Sequence, residues 1–447
     1  MTQGFIAAID LGTSKITGVV GRKNADNVVS MLACESVPSS NCIRRGVVHN
    51  IDEVGAKVRK VVTMLENKLE KKIDKVYVSL SGQSLHTFDF WETKQLSGNT
   101  ITEDTIAQLR QEAEKFTPAS KHHYAVADVE YFVDDKSEQN PVGVPCSLIE
   151  AEYKIVVGRA SLKSNIKKGI EEKAGMKIAG YIVGALASAT VTLSDEEKML
   201  GCAFVDFGAG TTTLSIYKGG ILRRMITIPF GGKNITRDIC ALNYTEDQAE
   251  TSKIKLGNVA DDKKNSGKMS SPFSSPFSQK SSKTENAGEL NNVIKMRLDE
   301  IIANLAEQIK QSGYEGQLGA GLIITGGASQ LRNLDAYLTE KLKMPVRKAS
   351  ANKAFITHSS DFDSNPAFTQ AFGLLFLGKE NCEHIVVEKP KPQVENVDNN
   401  DKDEVVYVKP QPRKPKPPKE KDPNKPGFGE KLTGIFGGLF KEEEDEE

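Results

Sequence analysis

An apolar strand that ends in aspartate, turns on glycine and returns as a second strand occurs twice in this chain. The first copy, "GFIAAIDLGTSKITGVVGR", begins at Gly4, and the second, "GCAFVDFGAGTTTLSIYKGG", begins at Gly201. In each, β-branched and other apolar residues flank the glycine on both sides, which is the pattern of a hairpin. Two copies about two hundred residues apart predict two related domains. A third glycine turn, in "GAGLIITGGASQLRNLDAYLTEKL", carries an apolar strand into Gly326-Gly327 and then a helix.

The three turns share one chemistry. A phosphate group is held by backbone N–H groups that converge on a small volume, and glycine lets the chain approach without a Cβ in the way. Asp10-Leu11-Gly12-Thr13-Ser14-Lys15 adds two hydroxyls and an ammonium group. Asp206-Phe207-Gly208-Ala209-Gly210-Thr211-Thr212 forms a second cradle without the lysine. Asp10 and Asp206 repel phosphate, so their sensible role is to hold a hydrated Mg2+ that bridges the phosphates. Gly326 and Gly327 would let an adenine ring or an α-phosphate rest against the backbone.

The rest of the chain divides by composition. Residues 1–83 and 163–200 read as one α/β domain. Between them, residues 84–162 form a small inserted α+β unit, with a helix in "TEDTIAQLRQEAEKF" and strands in "YAVADVEYFVDD" and "LIEAEYKIVVGRA". Residues 201–380 form the second domain, returning to the first near 366–380. Within it, the Ser- and Lys-rich stretch at about 258–289 reads as a disordered loop. Residues 381–423 read as an extended Pro- and Lys-rich linker, residues 424–441 as a helix and residues 442–447 as an acidic tail.

Composition excludes some functions. With 59 basic against 60 acidic residues there is no positive surplus for nucleic acid. Six scattered cysteines without a C-x-x-C pair read as structural thiols. The N-terminus lacks the pattern of a signal peptide, and no apolar run approaches the roughly 20 residues of a membrane span.

The order D-L-G-T-S-K, D-F-G-A-G-T-T and T-G-G-A-S resembles the ATPase fold of actin, Hsp70 and sugar kinases. Within it, residues 4–380 are similar to the FtsA family of bacterial cell-division proteins. "GGKNITRDICALNYTEDQAETSKIKLG" resembles that family's segment after the second hairpin, and "NPVG" at 140–143 a motif of its inserted subdomain. The resemblance implies an actin-like two-domain fold with a small inserted subdomain and ATP and Mg2+ as ligands. An A-E-x-x-K helix, here Ala249, Glu250 and Lys253, would contact the ribose. It also implies partners: the C-terminal peptide of tubulin-like FtsZ, other division proteins and further copies of itself. Arg297, in "NNVIKMRLDEIIANLAEQIKQ", is the candidate contact for the acidic FtsZ peptide.

Two departures bear on function. The second hairpin reads F-G-A-G where many relatives have three consecutive glycines. Relatives that hydrolyse ATP well carry a carboxylate or amide on a connecting helix to orient water, and "YIVGALASAT", around Gly184 and Ala185, has none. Slow hydrolysis, with ATP acting as a conformational ligand, follows from that absence. The inserted unit is expected to serve contacts with neighbours and not to complete the ATP cleft. A sugar-kinase-like phosphotransferase would need an aspartate beside a sugar pocket, and an Hsp70-like ATPase would need a substrate domain after residue 380. The sequence nominates neither.

The tail closes the argument. On a helix, Phe428, Leu432, Ile435, Phe436, Leu439 and Phe440 form one narrow apolar face. Gly429, Gly434, Gly437 and Gly438 each cost roughly 1 kcal/mol against alanine, so the segment is unfolded alone in water. A membrane surface supplies what is missing, and members of the FtsA family resemble this layout of linker and membrane-targeting helix. The expected location is the cytoplasmic face of the membrane at the division site.

Overall fold

The computed structural model of the chain describes residues 4–260, 281–357 and 365–384. The first hairpin pairs β1 (Ile6–Leu11) with β2 (Lys15–Lys23), and β3 (Val29–Pro38) runs antiparallel to β2. A ribbon of β4 (Ile43–Arg44) and β5 (Val47–Val48) leads into α1 (Ile51–Leu69). That helix begins where Asn50 accepts a hydrogen bond from the Glu53 N–H, and it buries Val54, Val58, Val61, Val62 and Leu65. β6 (Lys75–Leu80) then returns parallel to β1.

The inserted unit follows as β7 (His86–Gln95), α2 (Glu103–Lys115), β8 (His122–Val133), β9 (Lys136–Glu138) and β10 (Leu148–Gly158). Thr102 caps α2, and the unit has its own core around Ile101, Leu109, Ile149, Tyr153 and Ile155. After α3 (Ser161–Lys167), β11 (Lys177–Val183) lies parallel to β6, and α4 (Gly184–Thr192) and α5 (Asp195–Leu200) lead to the second half.

There the pattern repeats. β12 (Cys202–Phe207), β13 (Thr212–Lys218) and β14 (Ile221–Ile228) form an antiparallel run, followed by α6 (Gly232–Ile239), α7 (Glu246–Leu256) and α8 (Ser281–Gln311). β15 (Leu322–Thr325) lies parallel to β12 and, after α9 (Leu334–Leu342), β16 (Val346–Lys348) lies parallel to β15. β17 (Ile356–Thr357) joins the far edge of β3, and α10 (Thr369–Leu377) packs on β1, β2 and α4. The order β3-β2-β1-β6-β11 in the first sheet is therefore matched by β14-β13-β12-β15-β16 in the second.

The second sheet continues past β14. Ile226 pairs with His86 of β7, so the inserted strands extend that sheet to nine. Asp128 accepts a hydrogen bond from the Leu222 N–H at 2.8 Å, and Arg223 pairs with Glu130. By chain order the unit is an insert in the first domain. By hydrogen bonding it belongs to the sheet of the second.

Two sequence boundaries shift. Helix α8 begins at Ser281 and so takes up the end of the stretch assigned to a loop at 258–289, where Glu, Ala and Leu raise helix propensity. Residues 261–280 lie outside the described residues. The fold also runs past residue 380: Cys382 is buried and its N–H donates to the Phe5 carbonyl at 2.8 Å. The linker beyond residue 384, the terminal helix and the acidic tail lie outside the described residues. No described helix is long and apolar enough to cross a membrane.

Candidate functional site

The three glycine turns open onto one cleft of about 710 Å³, within the range of ligand pockets. The first two hairpin turns meet across it, since a Cβ on Gly210 would lie 2.6 Å from Thr13 Oγ1. The third turn follows β15, the neighbour of β12. Gly326 there has φ 88°, and a Cβ on it would stand 2.5 Å from Asp206 Oδ1, so only glycine serves.

Most of the residues singled out in the sequence line this cleft. Asp10, Gly12, Thr13, Ser14 and Lys15 come from the first turn, Asp206, Gly208, Gly210 and Thr211 from the second, and Gly326 and Gly327 from the third. Among the described residues, the N–H groups of Gly12, Thr13, Ser14 and Gly210 have no protein acceptor. Donors left open in this way at converging turns fit an anionic ligand. Lys15 sits with its Nζ 3.2 Å from the centre of the Phe368 ring, and burial lowers its proton affinity against the pull of Asp10.

Thr212 is an exception. It is fully buried, and its hydroxyl donates to the Phe230 carbonyl at 2.8 Å. β13 alternates, so Thr211 and Thr213 face the cleft and Thr212 faces the core.

Glu250 and Lys253 of α7 both reach the cleft and pair at 2.7 Å. Lys253 also donates to the Gly232 carbonyl at 3.0 Å and to Thr236 Oγ1 at 2.8 Å, fastening the start of α6 to the wall. Burial lowers the proton affinity of Lys253, and Glu250 opposes that shift.

Asp10 and Asp206 stand half-buried in the cleft. Asp206 accepts from Ser188 Oγ at 2.9 Å, and Asp10 accepts from Gln370 Nε2. Burial pushes both carboxyls up, that of Asp206 to about 6, where the charge of Asp10 adds to the effect. Among the described residues no cluster of three or more His, Cys, Asp or Glu side chains could hold a metal ion. Two carboxylates still fit a hydrated Mg2+ whose other ligands are water and phosphate oxygens.

Sequence reasoning missed Ser188 and Gln370. It found no amide near Gly184, and α4 indeed carries none, but α10 brings Gln370 to that place. The available signal was a glutamine inside the otherwise apolar run "AFTQAFGLLFL". Arg297, on α8, is not part of the cleft lining; it pairs with Asp238, with Nη2 2.9 Å from Oδ1, and with Glu300. Phe428, Leu432, Ile435, Phe436, Leu439 and Phe440 lie outside the described residues.

Comparison with known proteins places this geometry. A family model described as "Cell division protein FtsA" matches residues 203–373, and one described as "Type IV pilus assembly protein PilM" matches residues 8–282. The cell division protein FtsA of Porphyromonas gingivalis is 32% identical over 472 aligned residues, covering 99% of this chain and 98% of that protein. FtsA of Escherichia coli K12 is 28% identical, covering 84% of this chain and 91% of that protein. Among solved structures, the PilM-PilN type IV pilus biogenesis complex superposes with a TM-score of 0.56 at 16% identity, over 83% of this chain and 97% of that one. The duplicated sheets are thus those of the actin-like ATPase fold. With a match that runs almost end to end, the chain belongs to the FtsA family of cell-division proteins.

Proposed function

We propose that this chain is an ATP-binding, actin-like division protein that ties FtsZ filaments to the cytoplasmic face of the membrane and assembles with copies of itself. The observation that carries the nucleotide part is the convergence of three glycine turns, with unpaired N–H groups, on one cleft that holds two half-buried aspartates. Gly12, Thr13, Ser14, Gly208, Gly210 and Thr211 would hold the phosphates with Lys15, while Asp10 and Asp206 would hold the hydrated Mg2+. The Mg2+, when bound, neutralises phosphate charge. Gly326 and Gly327 would leave the base room against the backbone, and Glu250 and Lys253 would meet the ribose.

The tethering part is supported by family membership and by the sequence pattern of residues 424–441, which suits a helix lying in a membrane surface. The test is co-sedimentation of the full chain with anionic liposomes and FtsZ, with and without Mg2+ and ATP. Recruitment of FtsZ to the lipid pellet only in the presence of this chain is the expected result. FtsZ that stays in the supernatant while the chain pellets would refute tethering, and a calorimetric titration without ATP binding would refute the nucleotide site.

A further inference from the structure

Gln370 is a polar side chain on a helix that is otherwise almost wholly apolar. Its neighbours Ala371, Phe372, Leu374 and Leu375 are fully buried, so a polar group at this position needs a partner. Its partners lie in the cleft: Nε2 donates to Asp10 and reaches Ser81 Oγ at 3.3 Å. Across the cleft wall stands Gly184, the first residue of α4. A Cβ there would lie 2.4 Å from Gln370 Cδ and 2.5 Å from its Oε1. The amide therefore occupies the space that any side chain at position 184 would take.

We propose that Gln370 is a positioning residue for the cation end of the cleft: its amide, delivered from α10 into the space Gly184 leaves open, orients the Asp10 carboxylate toward a hydrated Mg2+. This rests on the nucleotide reading above. Two observations favour a positioning role over plain packing. The donor goes to a carboxylate and not to a backbone carbonyl, so it orients Asp10 Oδ1 beside the hydrogen bond that Asp10 also receives from Ser79, and the remaining lone pairs of the carboxylate stay open to the cation's water. The Oε1 atom takes no protein donor among the described residues and is not sealed from the cleft, so it is available to that same water. Ser188 makes the matching contact with Asp206 from α4. Each aspartate thus receives a donor from a different one of two helices that pack on each other, and Asp10 has Ser79 of β6 as a further partner. Groups that hold a metal's carboxylates from behind in this way change metal affinity roughly 10- to 100-fold when removed.

The test compares ATP binding in Mg2+ and in EDTA for the parent, for Gln370→Ala and for the double variant Gly184→Gln/Gln370→Ala. Circular dichroism on each confirms folding. In Gln370→Ala, affinity in EDTA should stay within about twofold of the parent, while the Mg2+ concentration that restores tight binding should rise roughly tenfold. The double variant, with the amide delivered from the opposite helix, should recover most of that loss. Equal losses in Mg2+ and EDTA, or no change in the Mg2+ requirement, would overturn the positioning role while leaving the nucleotide site standing. A parent that binds ATP in neither buffer would overturn the nucleotide reading itself, and this inference with it.

Discussion

Ser188 Oγ donates to Asp206 Oδ2 at 2.9 Å, and it is the hydrogen bond by which helix α4 sets the second aspartate of the cleft. Ser188 is fully buried, so its hydroxyl has no water to serve in place of that partner. Ser188→Ala should leave the fold intact, raise the proton affinity of Asp206 further and weaken Mg2+-dependent ATP binding by about three- to tenfold. Calorimetric titrations at fixed ATP and varied Mg2+ check this. An unchanged Mg2+ requirement would show that the hydroxyl does not tune the aspartate.

The raised pKa of Asp206 makes a pH prediction for the nucleotide-free protein. Its folded value of about 6 lies above the ordinary value of 3.8, so between these limits the folded state binds more protons than the unfolded one. Stability from this group is then greatest below about 4 and is lost as pH rises through about 6. A shift of this size corresponds to roughly 3 kcal/mol at most, and water in the open cleft reduces it. Urea denaturation from pH 4 to 7 should show the decline, and Asp206→Asn should flatten it. A variant with the parent's slope would assign the decline to other groups.

Two adjacent glycines should respond differently. At Gly326, φ is 88° and a Cβ would strike Asp206 and the Phe207 carbonyl, so Gly326→Ala should destabilise the fold by about 2 kcal/mol or more. At Gly327 the nearest atom to a Cβ would be the Cβ of Ala367, at 3.8 Å, so a Cβ there meets only ordinary van der Waals contact and the backbone is not strained. Gly327→Val should keep the parent's melting temperature within a few degrees and lose ATP binding, because its methyl groups enter the cleft. ATP affinity equal to the parent's would show that the base does not lie against this turn.

The joint between the inserted unit and the second sheet gives a further prediction. Arg223 and Glu130 are only 13% and 14% exposed, so neutralising one leaves the other poorly solvated. Glu130→Gln should destabilise the joint by on the order of 2–3 kcal/mol and should speed amide exchange in β7, β8 and β14 before the rest of the chain. Thr227 of β14 lines the cleft and donates its N–H to the Leu85 carbonyl at 3.1 Å, so the unit also braces the cleft wall. A modest fall in ATP affinity should accompany the loosening. Uniform exchange across the chain would show that the joint is not a separate weak point.

What was legible in the sequence was local and periodic. β1, β2, β12 and β13 are runs of apolar and β-branched residues broken by Asp-x-Gly, and the pattern carries its own turn. The cleft followed because three such turns have one common use. Thr212 was misplaced because facing in strands alternates, and the turn alone does not say which of three threonines points outward. The joining of β14 to β7 pairs residues far apart in sequence through a single register position, Ile226 with His86, and leaves no local mark. Gln370 was missed for a related reason: its partner Asp10 lies at the other end of the chain, and only the fold brings them together.

In the sequence the apolar residues between Phe428 and Phe440 follow a Pro- and Lys-rich stretch, and the proposed membrane helix makes its own prediction. Each large apolar side chain gains up to ~1.5–3 kcal/mol on full burial, but the four glycines and the acidic end "KEEEDEE" oppose binding to an anionic bilayer. Lys409, Arg413, Lys414, Lys416, Lys419 and Lys421 offset that, at up to ~1 kcal/mol each near the surface. A single helix should therefore bind weakly and reversibly, while many on one filament bind tightly through effective concentration. Phe436→Glu places a charge at the centre of the apolar face and should release the chain from anionic liposomes in a flotation assay. ATP affinity should not change, because on this proposal a long Pro- and Lys-rich linker would uncouple membrane binding from the cleft. Added salt should weaken attachment only in part, since it screens the linker charges and not the apolar contact. If Phe436→Glu floats with the vesicles as the parent does, the membrane reading is wrong, and the terminal segment must dock on protein instead.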